Sequence, residues 1–173
     1  MDIYTTLFEV IDMRSFSNLW FWIALAVVWS SASYWVLGVP FDMIQRAKRS
    51  KGEALADLEA IVDVKVRRML TIGEVSGLWV LGFLSFALTA MGVMAFLYWV
   101  EFAQAVFLMF LPLTFVGMQT LSTAVKIRDR QLAGDDLIRA LMKQRFWTQV
   151  IGIIAVFVTA MFGMWQNLEL GAL

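Results

Sequence analysis

Residues 75–100 read VSGLWVLGFLSFALTAMGVMAFLYWV, and this stretch decides the fold class of the chain. It contains no Asp, Glu, Lys or Arg. A helix needs about 20 apolar residues to cross the hydrocarbon core of a bilayer, which is roughly 30 Å thick, and strands are much shorter. The stretch therefore predicts a transmembrane helix.

Three further uncharged apolar runs occupy residues 18–39, 102–125 and 146–166. The whole chain of 173 residues is 61% hydrophobic and only 16% charged, whereas soluble domains are about 45–50% apolar and about 25% charged. Buried helices of a soluble protein would need a polar shell, which this composition does not supply. We expect an all-α polytopic four-helix transmembrane bundle that forms one integral membrane domain over residues 1–173.

Charge placement predicts the orientation of this bundle. Of the fourteen Lys and Arg residues, all but Arg14 lie in segments 40–74 and 126–145. The positive-inside rule places these two segments in the cytoplasm. Both termini and the turn near Glu101 then lie outside.

The two basic segments have helical patterns of their own. Residues 53–70 predict an amphipathic helix that runs on into the second span, with an apolar face of Leu55, Leu58, Val62, Val66 and Met69. Residues 126–145 predict an extension of the third span, a turn at Ala133–Gly134, and a new helix with Asp135 as its N-cap. We expect the two segments to pack together as a small bundle. Residues 1–16 predict a helix that lies flat on the outer surface.

The composition excludes much chemistry. Cys and His are both absent, which removes disulfides, thiolate metal sites, Cys nucleophiles, the commonest general base and the commonest metal ligand. No phosphate loop, metal cluster or catalytic triad can be assembled, so we expect no enzyme, no cofactor and no metal. The formal net charge is zero, which gives no reason to expect nucleic acid as a partner.

Polar residues within the spans are candidates for a pore lining or for helix contacts. Hydrogen bonds between such side chains on neighbouring helices stabilise the helix contacts. These candidates are Ser30, Ser31, Ser33, Gln119, Thr120, Thr123 and Thr159. Glu74 and Glu101 lie at opposite edges of the spans. Each is either a solvated boundary residue or, in an oligomer, one member of a ring of carboxylates at a pore mouth.

Small residues form one face of each of two spans. One face carries Thr148, Gly152, Ala155, Thr159 and Gly163, and the other carries Gly82, Ser85, Thr89 and Gly92. Because small residues let helix backbones approach closely in lipid, both faces predict helix contacts, within one chain or between chains.

The basic segments predict a surface for anionic lipid headgroups and for a protein partner, beside their role in setting topology. The residues of this surface are Arg46, Lys48, Arg49, Lys51, Arg67, Arg68, Lys126, Arg128 and Arg130.

Four stretches of the chain resemble a known family. They are FEVIDMRSFSNLWFWIALAVVWSSASYWVLGVPFDMI (8–44), VSGLWVLGF (75–83), VEFAQAVFL (100–108) and VTAMFGMWQNL (158–168). They resemble small bacterial inner-membrane proteins described as a component of the SufBCD complex, the iron–sulfur cluster assembly machinery. The resemblance implies a membrane accessory to cluster assembly. Without Cys or His, the chain lacks the usual residues for ligating a cluster itself.

Two functions follow as hypotheses. The first is a non-enzymatic accessory or scaffold subunit that docks partners at its basic cytoplasmic face. The alternative is a homo-oligomeric channel or passive transporter lined by the Ser and Thr residues of the first and third spans.

Overall fold

The computed structural model describes Phe16 and residues 18–171, with side chains up to Leu168. This part of the chain is almost entirely helical, which confirms the all-α class. In chain order the elements are α1 (Leu19–Tyr34), β1 (Trp35–Val36), β2 (Val39–Pro40), α2 (Phe41–Ser50), α3 (Glu53–Phe96), α4 (Glu101–Asp129) and α5 (Gly134–Gly171). The surface helix expected over residues 1–16 lies outside the described residues, apart from Phe16.

Three helices are long and apolar enough to cross a membrane. Within α3, α4 and α5, 18-residue windows have mean hydropathies of 2.0, 1.7 and 1.9. An 18-residue helical window rises about 27 Å, close to the thickness of the hydrocarbon core. These windows match three of the four predicted spans.

The first predicted span, 18–39, is longer than the helix that forms there. The α1 helix has 16 residues and ends at Tyr34, because β1 and β2 then fold into an antiparallel hairpin that pairs Val36 with Val39. Its two turn residues, Leu37 and Gly38, have φ values of +54° and +73°. Positive φ at both positions defines the two-residue turn that matches the twist of paired strands.

The hairpin is apolar because it enters a protein core. Val36, Leu37 and Val39 are all buried beneath α2 and the first half of α3. Apolar composition does not distinguish a residue that contacts lipid from one that contacts protein, so the predicted run 18–39 included hairpin residues of a protein core. The α1 helix that remains is shorter than the three membrane-length helices, and the fourth span stays a prediction.

We call residues 35–74 and 124–145 the basic bundle: they comprise the hairpin, α2, the start of α3, the end of α4 and the start of α5. Its helical core consists of Ile44, Ala47, Leu58, Val62, Val66, Leu70, Ala124, Ile127, Leu137, Ile138 and Leu141. The burial confirms the predicted amphipathic face of residues 53–70, its continuation into the second span, and the packing of the two basic segments. The α2 helix was not predicted; its inner face buries Ile44 and Ala47.

The start of α5 corrects one prediction. Asp135 is not the N-cap; it lies inside the first turn, where its carboxylate pairs with Lys51 at 3.1 Å. The first backbone N–H, that of Gly134, donates instead to Glu59 Oε1 at 2.6 Å. The cap therefore comes from α3, a long-range contact that local spacing does not reveal.

In the apolar half, α5 packs on α1 and on α4, and α4 packs on α3. Leu25 and Trp29 of α1 and Ala155 of α5 form a second buried cluster. The membrane-length part of α3 contacts little protein: Leu78 and Trp79 are 84% and 83% exposed. In lipid, this surface faces acyl chains or another protein.

Candidate functional site

A group of polar side chains joins α4 to α5 where the basic bundle meets the apolar half. We call Gln119, Thr120, Gln144 and Thr148 the junction cluster. Gln119 Nε2 donates to the Gln144 carbonyl at 3.1 Å, and Gln144 Nε2 donates to Thr120 Oγ1 at 2.9 Å. The Thr120 hydroxyl in turn donates to the Val116 carbonyl at 2.8 Å. The two glutamine bonds cross between two apolar helices, where such bonds stabilise association.

The junction cluster also contains acceptors with no partner. The Oε1 atoms of Gln119 and Gln144 are buried, and neither has a hydrogen-bond donor among the described residues. A buried polar atom without a partner is costly, and a water molecule with two O–H donors is the usual remedy. The cluster holds no titratable side chain, so its chemistry is hydrogen bonding and not proton transfer.

Two of the predicted polar residues bond only to their own helix. Thr123 donates to the Gln119 carbonyl at 2.9 Å, and Thr159 donates to the Ala155 carbonyl at 2.8 Å. Thr159 is fully buried on the small-residue face of α5, together with Thr148, Gly152, Ala155 and Gly163. That face packs against α1 and Phe16.

The three predicted serines lie near the end of α1. Ser30 and Ser31 are exposed, and Ser33 is half-buried. Their hydroxyls make no hydrogen bond within the described part of the chain. Ser30 and Ser33 line a groove between α1 and α5 whose lining does not include Gln119 or Thr120.

The two edge carboxylates each have a partner. Glu74 pairs with Arg128 at 3.3 Å, which links α3 to α4. Glu101 Oε1 accepts the backbone N–H of Phe16 at 2.8 Å and so holds the residue that precedes α1. Both contacts are within the chain.

The basic bundle carries more cations than its acids neutralise. Segments 40–74 and 126–145 hold thirteen basic and nine acidic residues, a net charge of +4. Five of the basic residues, Arg46, Lys51, Arg67, Arg128 and Arg139, form ion pairs. The hydrogen bond to Asp136 and its charge raise the pKa of Arg139, so this residue stays cationic. Within the described residues, eight basic side chains have no ion pair: Lys48, Arg49, Lys65, Arg68, Lys126, Arg130, Lys143 and Arg145.

Arg145 has the most specific environment of these eight. Its Nε donates to the Ser33 carbonyl at 3.1 Å, and its guanidinium carbon lies 3.5 Å from the centre of the Phe41 ring. Arg145 thus joins the end of α1, the start of α2 and α5. A guanidinium over an aromatic face is a favourable cation–π arrangement.

Sequence reasoning missed Gln144, Arg145 and Gln104. Gln144 continues the four-residue spacing of Thr148 and Gly152 toward the N-terminus of α5, which is the signal that could have identified it. Gln104 is fully buried, and its Nε2 donates to the Ala95 carbonyl at 2.9 Å, near the end of α3. Backbone carbonyls at a helix end need hydrogen-bond donors when their surroundings are apolar. A Gln shortly after a tight turn between two apolar helices is therefore a signal for such a donor.

The described residues contain no group of three or more acidic side chains placed to hold a metal ion. The arrangement supplies a cationic surface, a buried amide cluster and an arginine at the junction. Neither the comparison with protein families nor the comparisons with curated proteins and solved structures gave a match for this chain.

Proposed function

We propose that this protein is a non-enzymatic accessory subunit of a bacterial inner membrane, and that its basic bundle docks a protein partner on the cytoplasmic side. Both termini lie outside in this proposal. The observation that carries it is the basic bundle itself, which has its own buried core and eight cations without an ion pair among the described residues.

The basic residues could serve only to set the membrane topology. The buried core of the bundle adds a reason to expect docking. Lys48 and Arg49 lie on α2, whose inner face is held by Ile44 and Ala47. A folded surface presents its cations at fixed positions, which lowers the entropy cost of binding an acidic partner. The resemblance to the SufBCD-associated family makes cluster-assembly subunits the first partners to test.

The experiment is site-specific photocrosslinking in cells, with the crosslinking residue placed at Lys48 or at Arg130. The control position is Tyr98, which is exposed at the opposite end of the apolar half. We expect a discrete protein adduct from Lys48 and Arg130 and none from Tyr98. The pair of changes Lys48→Gln and Arg49→Gln should weaken that complex by about tenfold, because rim charges set salt-dependent association. Adducts to lipid alone, from all three positions, would contradict docking.

The alternative, a homo-oligomeric channel, has one observation in its favour. Part of the small-residue face of α3 has no neighbour among the described residues, because a β-carbon added at Gly82 would meet nothing within 4 Å, whereas Gly92 lies against Phe107 of α4. Against it, Gln119 and Thr120 face α5 of the same chain. A symmetric ring in mild detergent, with ion flux in liposomes altered by Gln119→Leu, would support the channel. A monomer bound to a defined partner would support the accessory subunit.

A further inference from the structure

An open groove of about 480 Å³ lies between α1 and α5. Three polar side chains line it, those of Ser30, Ser33 and Gln149, together with the indole of Trp29 and the exposed apolar residue Ile153. A groove of mixed character next to acyl chains suits a ligand that is itself amphipathic.

The polar atoms of this groove lack protein partners. The side chains of Ser30, Ser33 and Gln149 make no hydrogen bond within the described residues, and Trp29, which is 94% buried, has no acceptor there for its Nε1–H. Polar groups in apolar surroundings are normally bonded, either within the protein or to a bound molecule. Trp29 thus adds a buried unpartnered donor beside three unpartnered side chains.

A cation contacts the backbone of one residue that lines the groove. The Arg145 Nε bonds to the carbonyl of Ser33, a groove residue, while the two terminal amino groups of Arg145 have no partner among the described residues. No described acid forms an ion pair with Arg145. Two free amino groups in one plane match the two oxygens of a phosphate.

We propose that the groove binds one anionic phospholipid, with its phosphate at Arg145. The glycerol ester carbonyls then accept from Ser33 and from the Gln149 amide, and one acyl chain runs past Gly152 to Ile153. Ile153 lies eight residues beyond Arg145, about 12 Å along the helix axis. This distance is long enough to reach from the headgroup to the acyl chain of a single lipid. The proposal does not depend on the protein partner.

The test is native mass spectrometry of the purified full-length protein, released from micelles that contain increasing amounts of dioleoylphosphatidylglycerol. We expect one saturable lipid adduct. Dioleoylphosphatidylcholine, with the same chains and no net charge, should bind about tenfold more weakly. Free glycerol phosphate should not displace the lipid, because it lacks the acyl chains that fill the groove.

Three variants locate the site. Arg145→Gln should weaken retention of the lipid by about tenfold, whereas Lys143→Gln, which removes the same charge from an exposed position on the same helix, should leave it within about twofold. Gln149→Leu keeps every charge and should also weaken retention, because the ester carbonyls lose a donor. Helix content, measured by circular dichroism, checks that each variant folds. If Arg145→Gln does not fold, lipid retention by Gln149→Leu tests the proposal.

Several results would overturn the proposal. Equal losses in Arg145→Gln and Lys143→Gln would mean that lipid is attracted by the overall charge of the basic bundle. Unchanged binding in Gln149→Leu would place the lipid elsewhere. Equal retention of phosphatidylcholine, displacement by glycerol phosphate, or recovery of a neutral isoprenoid in place of phospholipid would each reject an anionic phospholipid site.

Discussion

Trp29 of α1 packs so closely on Gly152 of α5 that a β-carbon at residue 152 would lie 2.8 Å from Cε3 of the indole. Real β-carbons do not approach other atoms so closely, so the contact depends on glycine. It joins the shortest apolar helix to the rest of the chain.

The change Gly152→Ala should therefore destabilise the protein. The added methyl group displaces the Trp29 ring, and overpacking of this kind costs about 1–3 kcal/mol. Thermal unfolding in detergent should show a melting temperature several degrees lower, at about 2–4 °C per kcal/mol for a chain of this size.

Gly82→Ala is the matched control for this prediction. Gly82 also lies within a membrane-length helix, and an added β-carbon there meets no atom within 4 Å. It should leave stability unchanged or raise it slightly, since Ala is the better helix former. Equal melting temperatures for the two variants would refute the tight Trp29–Gly152 contact.

The hydrogen bond between Gln144 and Thr120 should contribute measurably to helix association. We expect a double-mutant cycle of Gln144→Leu and Thr120→Val to give a coupling energy of about 0.6–1.7 kcal/mol, the range found for bonds between membrane helices. Denaturant unfolding of the four proteins measures it. Strictly additive effects would show that the side chains do not bond.

The core of the basic bundle can be tested at two adjacent residues of α5. Leu141 is fully buried, whereas Met142 is exposed. Leu141→Ala should cost about 2–5 kcal/mol and release the basic segments to proteolysis, because it leaves a cavity in the core. Met142→Ala should cost much less. Similar protease sensitivity of the two variants would contradict a packed bundle.

Sequence alone predicted the parts of this fold that depend on long patterns. The apolar windows of α3, α4 and α5 can be recognised from their length and from their scarcity of charged residues. The face of Leu58, Val62 and Val66 repeats every four residues. Such patterns are local, so no knowledge of the packing is needed to recognise them.

The hairpin and the junction cluster depend on information that local patterns do not carry. Val36 and Val39 have the composition of a span, but α2 and α3 cover them. Gln144 was assigned to a solvated segment, because its partner Thr120 is 24 residues away and the contact depends on how α4 and α5 are rotated.

The small-residue faces show the same limit. The α5 face and the α3 face have similar spacing, yet α1 and Phe16 cover the first, while Gly82, Ser85 and Thr89 of the second are exposed. A pattern of small residues indicates that a close approach is possible. It does not identify the neighbour, and a contact between chains at the α3 face remains a prediction.

The central claim is that the basic bundle and the α3–α4 turn lie on opposite sides of a bacterial inner membrane, with the bundle in the cytoplasm. The natural chain has no Cys, so single cysteines report their positions without background. We would place them at Arg130 in the basic bundle and at Tyr98 in the turn, both exposed, and add a membrane-impermeant maleimide to intact spheroplasts. The account predicts labelling of Tyr98→Cys at once and of Arg130→Cys only after permeabilisation. Labelling of both positions in intact spheroplasts, or of Arg130→Cys alone, would contradict it.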